Sequence, residues 1–270
     1  MRYRILQDSR TTCARDGRIL RRLSPELTRR FATRIAWLER IDPNERLLRG
    51  WQYEMVKRCF DLSLVAITAP LWLLGYGLCA LMVKLEDPRT PVLFIHERTG
   101  RHGKRFRMLK FRSMVKDAEA QKKLLRERSA VAWPDFHLKD DPRVTPIGKF
   151  LRKSNLDELP QILNVIRGEM SLVGPRPTSF SSAHYTLWQT ERLEVMPGIT
   201  GLWQILGRGT TEFDERLRLD IAYIDRRCLW LDLQILARTI VMVGSSSFDK
   251  SKISASATDP GTEHKDYAAP

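Results

Sequence analysis

The sequence predicts an α+β protein that is mostly helical. It would be a small domain with a short β-hairpin, anchored by a re-entrant membrane helix and by amphipathic helices at the membrane interface. Three observations support this prediction. Residues 60–83 are apolar apart from one aspartate and contain a proline near their middle. Residues 88–115 hold two alternating segments separated by glycines, and apolar residues recur at helical spacing over much of the remaining chain.

The chain is strongly basic. Its 270 residues include 46 Lys and Arg against 32 Asp and Glu, a formal charge of +14. This charge favours polyanionic partners: nucleic acid, an anionic membrane surface or phosphorylated substrates. A hydrophobic content of 43% argues against general disorder. The cysteines are far apart in the sequence, so we expect reduced thiols in a protein facing the cytosol; the polar, Arg-rich first thirty residues predict no signal peptide.

Residues 1–50 are predicted to form a basic extension with one amphipathic helix, within "SPELTRRFATRIAWLERI". A Ser-Pro pair starts the helix, and its apolar residues follow at helical spacing: Leu27, Phe31, Ile35 and Leu38. The other faces are rich in arginine. Two interpretations stay open: a surface helix packed on its own domain, or a helix lying on anionic lipid.

Residues 51–87 are predicted to form the re-entrant membrane helix. The apolar segment is long enough to span a bilayer, but Pro70 removes a backbone hydrogen bond and kinks a helix, and Asp61 is charged. Basic residues flank both ends, so the positive-inside rule puts both ends on the cytoplasmic side. A helix that enters one leaflet, bends at Ala69-Pro70 and returns satisfies all three observations. A buried helical hairpin and a straight span are the alternatives.

Residues 88–244 are predicted to form the folded domain. Val92, Phe94, Phe106 and Met108 alternate in the manner of two strands, joined through a glycine-containing turn. Helices are expected around residues 180–194 and 212–226. Residues 229–244 are apolar but too short and too charged for a confident membrane span, and residues 245–270 are expected to be disordered.

Two neighbouring carboxylates, Asp157 and Glu158, stand at a predicted helix start in "KSNLDELPQILNVIRGEM". Placing the helix cap at Asp157 keeps Pro160 in the first turn, where proline is tolerated. One apolar stripe then follows, and Gly168 ends the helix; the stripe is Leu159, Ile162, Leu163 and Ile166. The helix N-terminus favours both an ionised carboxylate and a bound phosphate.

Basic residues surround this pair in the sequence: Lys104, Arg105, Arg107, Lys110, Arg112, Arg143, Lys149, Arg152, Lys153 and Arg176. Such a set can neutralise a pyrophosphate while one carboxylate attacks it or the other holds Mg²⁺. By itself the pair is more typical of an ordinary helix start, and most of the basic side chains are more typical of a solvated face or of lipid-headgroup contacts.

Several segments together resemble the bacterial sugar transferase family, the monotopic polyprenyl-phosphate phosphoglycosyl transferases. They are "KRCFDLSLVAITAP", "GRHGKRFRMLKFRSM", "DPRVTPIGKFLRKSNLDELPQILNVIRGEMSLVGPRP", "PGITGLWQILGRG" and "LDIAYIDRRCLWLDLQILARTI". The resemblance covers about residues 53–243. Residues 1–50 match nothing in the minimal catalytic core and are far shorter than the extra regions of the larger members.

The resemblance implies transfer of a sugar 1-phosphate from a UDP-sugar to undecaprenyl phosphate, through a covalent phosphosugar on Asp157. This reaction starts exopolysaccharide, capsule or O-antigen assembly. Glu158 would be the Mg²⁺-associated partner, and other residues would bind substrate or phosphate: Lys110, Arg112, Arg152, Arg176 and Gln204. The implied location is monotopic, at the cytoplasmic face of the bacterial inner membrane and in contact with its lipids. Glucose, galactose and an N-acetylated amino sugar all fit, with UDP-glucose or UDP-galactose favoured by family frequency; the oligomeric state stays open, a homodimer included.

Two positions depart from the family pattern. Ala69 precedes the helix-breaking proline where many members carry serine, which puts a hydroxyl hydrogen bond at the bend in doubt. Glu169 stands where aspartate is common.

Three other functions fit the sequence less well. A nucleic-acid binder explains the charge but not the apolar segment, and a glycosidase needs its carboxylates about 5 Å or more apart across the bond. A non-catalytic membrane-anchored scaffold of a polysaccharide assembly complex remains the alternative.

Overall fold

The computed structural model describes residues 50–125, 141–181, 183, 185–206 and 213–244, together with residues 37, 38, 40–42, 48 and 138. The predicted tail at 245–270 and nearly all of the predicted N-terminal helix lie outside the described residues. Within them, the protein is mostly helical with a short antiparallel hairpin, as predicted.

The apolar segment forms two helices rather than one. Helix α1 (Gly50–Ile67) and helix α2 (Ala69–Glu86) are separated at Thr68, directly before Ala69 and Pro70. Pro70 has no N–H to donate and therefore suits the first turn of α2.

Two side chains donate hydrogen bonds to backbone carbonyls at this break. The Thr68 hydroxyl donates to the carbonyl of Leu64 over 2.7 Å, and the Trp72 indole N–H donates to that of Val65 over 2.9 Å. Threonine at 68 thus supplies a hydroxyl hydrogen bond at the bend, although Ala69 has none to give. Sequence reasoning missed both donors.

Helix α2 exposes most of its apolar side chains. Its exposed leucines include Leu71, Leu74, Leu78, Leu81 and Leu85. Among the described residues it alone is long and apolar enough to cross a membrane by length and composition, and only 11% of its apolar window is buried. Its outer surface is therefore apolar, and the described residues leave it uncovered.

Helix α1 buries a stripe at every fourth residue: Tyr53, Lys57, Asp61 and Val65. Lys57 pairs with Asp232 over 2.8 Å, and Asp61 accepts a hydrogen bond from the Ser171 hydroxyl over 2.6 Å. The charge of Asp61, which argued against a simple span, is thus directed into the domain. This stripe fixes α1 to the folded domain.

The predicted hairpin is present. Strand β1 (Leu93–Thr99) pairs antiparallel with β2 (Arg105–Phe111), and Leu93 lies opposite Phe111. A 3-10 turn at Arg101–Gly103 joins them. Phe111 is 1% exposed and packs with Cys79 and Val83 of α2 and with Leu151, so the hairpin and α2 share one apolar cluster.

The remaining helices are α3 (Ala118–Leu125), α4 (Pro146–Ser154), α5 (Gln161–Arg167), α6 (Leu202–Leu206), α7 (Phe213–Arg226) and α8 (Leu229–Gly244). The helix expected around 180–194 is a 3-10 helix at Leu187–Glu194. Helices α6, α7 and α8 share the largest buried cluster, which includes Leu202, Leu219 and Leu231.

A second, parallel strand pair was not predicted. Strand β3 (Ser171–Val173) lies beside β4 (Gly198–Thr200). The sequence "GPRP" and "PGITG" indicated only turns, but the structure packs them against one another. A Cβ at Gly174 would lie 2.4 Å from the carbonyl oxygen of Met196, and one at Gly198 would lie 2.1 Å from the amide nitrogen of Gly174. Only glycine permits this approach, which fixes the start of the segment that carries Arg176.

Candidate active site

The two carboxylates lie on a short turn between helices, not at a helix cap. Helix α4 ends at Asn155, whose φ of 59° is left-handed, and Leu156–Glu158 forms a separate 3-10 turn. Helix α5 begins after Pro160, which takes the cap position without a side-chain bond. The prediction that Asp157 caps the helix is therefore wrong. The left-handed residue at 155 turns the chain before the carboxylates, a change that the apolar pattern does not encode.

The predicted apolar stripe of α5 is also only partly correct. Ile166 is 45% exposed, while Gln161, Asn164 and Val165 form the buried face. The predicted stop is correct, since Gly168 ends α5 with a left-handed φ of 79°.

Glu158 is held by two cations. Lys110 of β2 donates to its carboxylate over 2.9 Å. Arg176 donates from both terminal nitrogens, with Nη1 at 3.1 Å from Oε2 and Nη2 on Oε1. The bidentate contact sets the orientation of the carboxylate as well as its charge. The structure thus brings together three residues that the sequence placed far apart: 110, 158 and 176.

These contacts determine the protonation of Glu158. Burial alone opposes its ionisation, but the charges and hydrogen bonds of Arg176 and Lys110 outweigh burial and hold the pKa of Glu158 well below its usual range. Burial likewise lowers the pKa of Lys110, against the opposing pull of Glu158. Glu158 is thus ionised, and both of its carboxylate oxygens are engaged by Lys110 and Arg176.

Asp157 has a different environment. Within the described residues, its carboxylate accepts no hydrogen bond. Burial raises its pKa, and Glu158 adds to the rise, while Lys110 and Arg152 oppose it by charge. Arg152, in the last turn of α4, is fixed by donating from Nε to the Ser113 hydroxyl over 2.8 Å. Asp157 is therefore a carboxylate without a partner, in a positive field, and this suits a nucleophile.

Asn164 fixes the strand that carries Lys110, and sequence reasoning missed it. Its Oδ1 accepts from the amide of Leu109 over 3.0 Å, and its Nδ2 donates to the carbonyl of Arg107 over 2.8 Å. The same amide nitrogen donates to Glu169 over 2.6 Å, so the longer side chain at 169 reaches this partner. An asparagine inside an otherwise apolar helical pattern was the available signal.

Two predicted substrate-binding residues do not contact the carboxylates. Strand β2 ends at Phe111, and Arg112 beyond it donates to the carbonyl of Pro91 over 2.9 Å. Gln204 is buried in α6, where it donates to the carbonyl of Ile199 over 3.0 Å. Lys110 and Arg112 therefore have different partners: Lys110 donates to Glu158, whereas Arg112, one residue beyond β2, donates to Pro91.

The donors near Asp157 and Glu158 do not form a metal site by themselves. Among the described residues, no group of three or more His, Cys, Asp or Glu side chains is placed to hold a metal. Both oxygens of Glu158 are occupied by cationic donors. Mg²⁺ usually takes one or two carboxylates together with substrate phosphates, and the free carboxylate of Asp157 fits that kind of shared site.

The family profile described as bacterial sugar transferase matches residues 52–246. The chain belongs to the bacterial sugar transferase family. The matched range contains every described helix and strand except the first two residues of α1.

Curated relatives agree with this assignment. The chain is 42% identical over 197 residues to "Galactosyl transferase CpsE" of Streptococcus agalactiae, a match that covers 72% of this chain and 43% of that protein. It is 41% identical over 197 residues to "Undecaprenyl-phosphate galactose phosphotransferase" of Salmonella typhimurium, covering 70% of this chain and 40% of that protein. It is 41% identical over 202 residues to "UDP-glucose:undecaprenyl-phosphate glucose-1-phosphate transferase" of Caulobacter vibrioides, covering 69% of each. The matches thus span about two fifths of the length of the first two relatives.

Proposed function

We propose that the protein transfers a sugar 1-phosphate from a UDP-sugar to undecaprenyl phosphate, through a covalent phosphosugar on Asp157. The product would start the assembly of an exopolysaccharide, capsule or O-antigen. The observation that carries the proposal is the contrast on one turn: Glu158 is tied to Lys110 and Arg176, while the adjacent, half-buried Asp157 has no hydrogen-bonded partner among the described residues.

In the first half-reaction, a carboxylate oxygen of Asp157 attacks the phosphorus that bears the sugar. An acyl phosphate bond forms, the bond to the bridging oxygen breaks, and UMP leaves with that oxygen. Negative charge grows on the leaving phosphate and on the transferred group. Lys110, Arg152 and Arg176 supply positive charge around this point, which stabilises the transition state.

In the second half-reaction, a phosphate oxygen of undecaprenyl phosphate attacks the same phosphorus. The acyl phosphate bond breaks and the carboxylate of Asp157 is regenerated, so the enzyme returns to its starting form. The weak basicity of a carboxylate makes it a good leaving group in this step. Glu158 takes no part in bond formation and instead holds Lys110 and Arg176 in place.

Mg²⁺ belongs to this proposal as an ion shared with the diphosphate of the UDP-sugar. Glu158, the residue that the resemblance associates with Mg²⁺, has both carboxylate oxygens on Lys110 and Arg176, so we propose that the adjacent Asp157 would hold the ion instead. When bound, the ion would neutralise phosphate charge.

The apolar surfaces support a location at the cytoplasmic face of the inner membrane. Helix α2 exposes its leucines, and α8 exposes Trp230, Leu233, Ile240 and Val241. With α1 and α2 bent at Thr68, a re-entrant anchor would keep the carboxylates on the side from which UDP-sugars come. The lipid phosphate lies at the same interface.

The names of two relatives support a choice of donor sugar. They include a galactose phosphotransferase and a glucose-1-phosphate transferase, and we propose UDP-galactose or UDP-glucose as the donor.

The test incubates purified protein in lipid nanodiscs with radiolabelled UDP-sugar, with and without undecaprenyl phosphate. Without acceptor, the wild type should release one equivalent of UMP and gain the mass of a hexose phosphate on the peptide containing Asp157. Asp157→Asn should do neither. Asp141→Asn is the matched control because, among the described residues, the Asp141 carboxylate bonds only Arg143. Lipid-linked sugar formed equally well by Asp157→Asn would refute the nucleophile, and a wild type without transfer from either UDP-sugar would favour the scaffold.

A further inference from the structure

The segment that follows Gly174 is held through its backbone. The carbonyls of residues 176–180 each accept a hydrogen bond from a side chain or amide elsewhere in the domain. Only the first of these contacts lies at Arg176 itself, where Arg192 donates to the Arg176 carbonyl. The position of the Arg176 guanidinium on Glu158 therefore depends on Arg192.

Arg192 is itself fixed by a buried carboxylate. It is 5% exposed, and the same terminal nitrogen that contacts Arg176 donates to Oδ2 of Asp220 over 2.7 Å. Its other terminal nitrogen donates to the Tyr185 hydroxyl over 3.2 Å, and Tyr185 bonds Thr178. Arg192 thus holds the chain on both sides of Pro177, and Asp220 of α7 sets the position of Arg192.

The charge of Asp220 is incompletely compensated. Asp220 is 1% exposed, and its Oδ1 has no hydrogen-bond partner within the described residues. Burial raises the pKa of Asp220 to about 6, although Arg192 and Arg216 oppose the rise. Ionisation of Asp220 therefore does not itself stabilise the fold at neutral pH, whereas its hydrogen bond fixes the position of Arg192.

We propose that Arg192 and Asp220 are positioning residues, which place Arg176 against Glu158 and so set the rate of sugar phosphate transfer. The inference rests on the proposed function, in which Arg176 stabilises the transition state. Neither residue touches the carboxylates of the 3-10 turn, and both act through the backbone of Arg176. No sequence motif indicated this pair, because its members lie 28 residues apart on different elements.

A double-mutant cycle separates positioning from a merely structural role. Asp220→Asn keeps the shape of the side chain and removes its charge. It should lower kcat about tenfold when Arg176 is present, and less than about twofold in an Arg176→Lys background, where the bidentate contact is already lost. A loss of folded protein would reduce kcat by the same factor in both backgrounds.

Asp232→Asn is the matched control. Asp232 is equally buried and pairs with Lys57, but its contacts are with α1 and Tyr223 rather than with the Arg176 segment. Its effect on kcat should be the same with Arg176 and with Lys at 176. If Asp220→Asn fails to fold, Arg192→Lys takes its place. It keeps the charge but replaces the planar guanidinium, whose two terminal nitrogens contact Asp220, Tyr185 and the Arg176 carbonyl, with a single ammonium group.

Hydrogen exchange gives a readout that does not need activity. In Asp220→Asn, the backbone amides within 174–180, which are those of Gly174, Arg176, Thr178, Ser179 and Phe180, should exchange faster than in the wild type, while those of α4 should not change. Equal losses of kcat in both backgrounds, or unchanged exchange at 174–180, would overturn the inference. A wild type without any transfer activity would instead refute the proposed function, and the exchange result would still decide whether Asp220 fixes the segment.

Discussion

Asp157 and Glu158 are adjacent on one 3-10 turn, yet their carboxylates have opposite environments. The negative charge of Glu158 is paired with Lys110 and Arg176, which keep the pKa of Glu158 well below its usual range. Burial raises the pKa of Asp157, which has no hydrogen-bonded partner within the described part of the chain. Pairs of titratable groups whose environments separate their pKa values in this way commonly divide catalytic roles between them.

The pH dependence of the first half-reaction should report Asp157. A carboxylate nucleophile must be ionised, so UMP release should fall as the pH drops through the raised pKa of Asp157. In Glu158→Gln this acid limb should move to lower pH, because a neighbouring negative charge is removed and Lys110 is released. The rate on the plateau should fall about 100-fold, since Arg176 loses its anchor. Single-turnover UMP release across about pH 5 to 9 measures both effects.

Asp220 is the control for this profile, because its pKa of about 6 lies in the same window. The acid limb should persist in Asp220→Asn at a lower plateau. If the acid limb of UMP release stays at the same pH in Glu158→Gln, a group other than Asp157 controls the rate.

Asn164 should matter for stability and for the site together. Asn164→Leu has a similar volume but leaves the amide of Leu109 and the carbonyl of Arg107 without their partners. Each buried group left unpaired costs about 1–3 kcal/mol, so the loss should total about 3 kcal/mol. Chemical unfolding in nanodiscs measures it. Ser154→Ala is the control, because that hydroxyl bonds only its own helix and should cost less than about 0.5 kcal/mol. Equal effects of the two changes would contradict the assigned role of Asn164.

The sequence predicted elements well where the pattern was local. The hairpin and the break at Ala69-Pro70 follow from alternation and from a proline without an N–H. What it did not predict depends on contacts between distant segments. The approach of Gly174 to Gly198 makes two turn motifs into paired strands, and the left-handed Asn155 removes Asp157 from the helix cap.

The candidate active site likewise depends on contacts between distant segments that the sequence did not predict. Lys110, Arg152 and Arg176 were predicted from their charge near the carboxylates, but charge alone could not separate them from Arg112, which bonds the backbone of Pro91. The structure distinguishes these residues by their partners: Lys110 donates to Glu158, whereas Arg112, beyond the end of β2 at Phe111, donates to Pro91. Asn164 and Arg192 act on backbone atoms of other segments, and no side-chain pattern in one sequence records such a contact.

Removal of Mg²⁺ should separate activity from stability. The described residues hold no cluster of three metal-ligating side chains, so the ion is expected to bind with the UDP-sugar rather than with the protein alone. A chelator should therefore abolish UMP release and leave the melting temperature unchanged. A fall of several degrees on chelation in the absence of UDP-sugar would indicate a resident metal site instead. Lys110→Met is a useful comparison, since it should lower UMP release at every Mg²⁺ concentration.

The bend between α1 and α2 should place both ends of the pair on the same side of the membrane. Pro70 removes one backbone donor, while Thr68 and Trp72 donate to the carbonyls of Leu64 and Val65. An unpaired carbonyl is costly in a membrane. The Leu64 carbonyl also accepts the Thr68 amide, so the Trp72 indole, which donates to Val65, is the side chain that stabilises the bent form. With the native cysteines replaced by alanine, single cysteines at positions 52 and 89 should react with an impermeant thiol reagent from the cytoplasmic side only. Labelling from opposite sides would establish a span.

The three residues at the bend should act together. Pro70→Ala alone restores an N–H but leaves the Thr68 and Trp72 bonds, so both probes should still label from the cytoplasm. Adding Trp72→Phe frees the Val65 carbonyl for the Ala69 amide, and Thr68→Val removes the remaining side-chain donor at the bend. A continuous helix then satisfies every carbonyl of the segment. Helix α2 is long and apolar enough to extend across the bilayer in that form. The triple variant should therefore move one probe to the opposite side, whereas an unchanged labelling pattern would mean that the buried stripe of α1, anchored by Lys57 on Asp232, holds the bend without them.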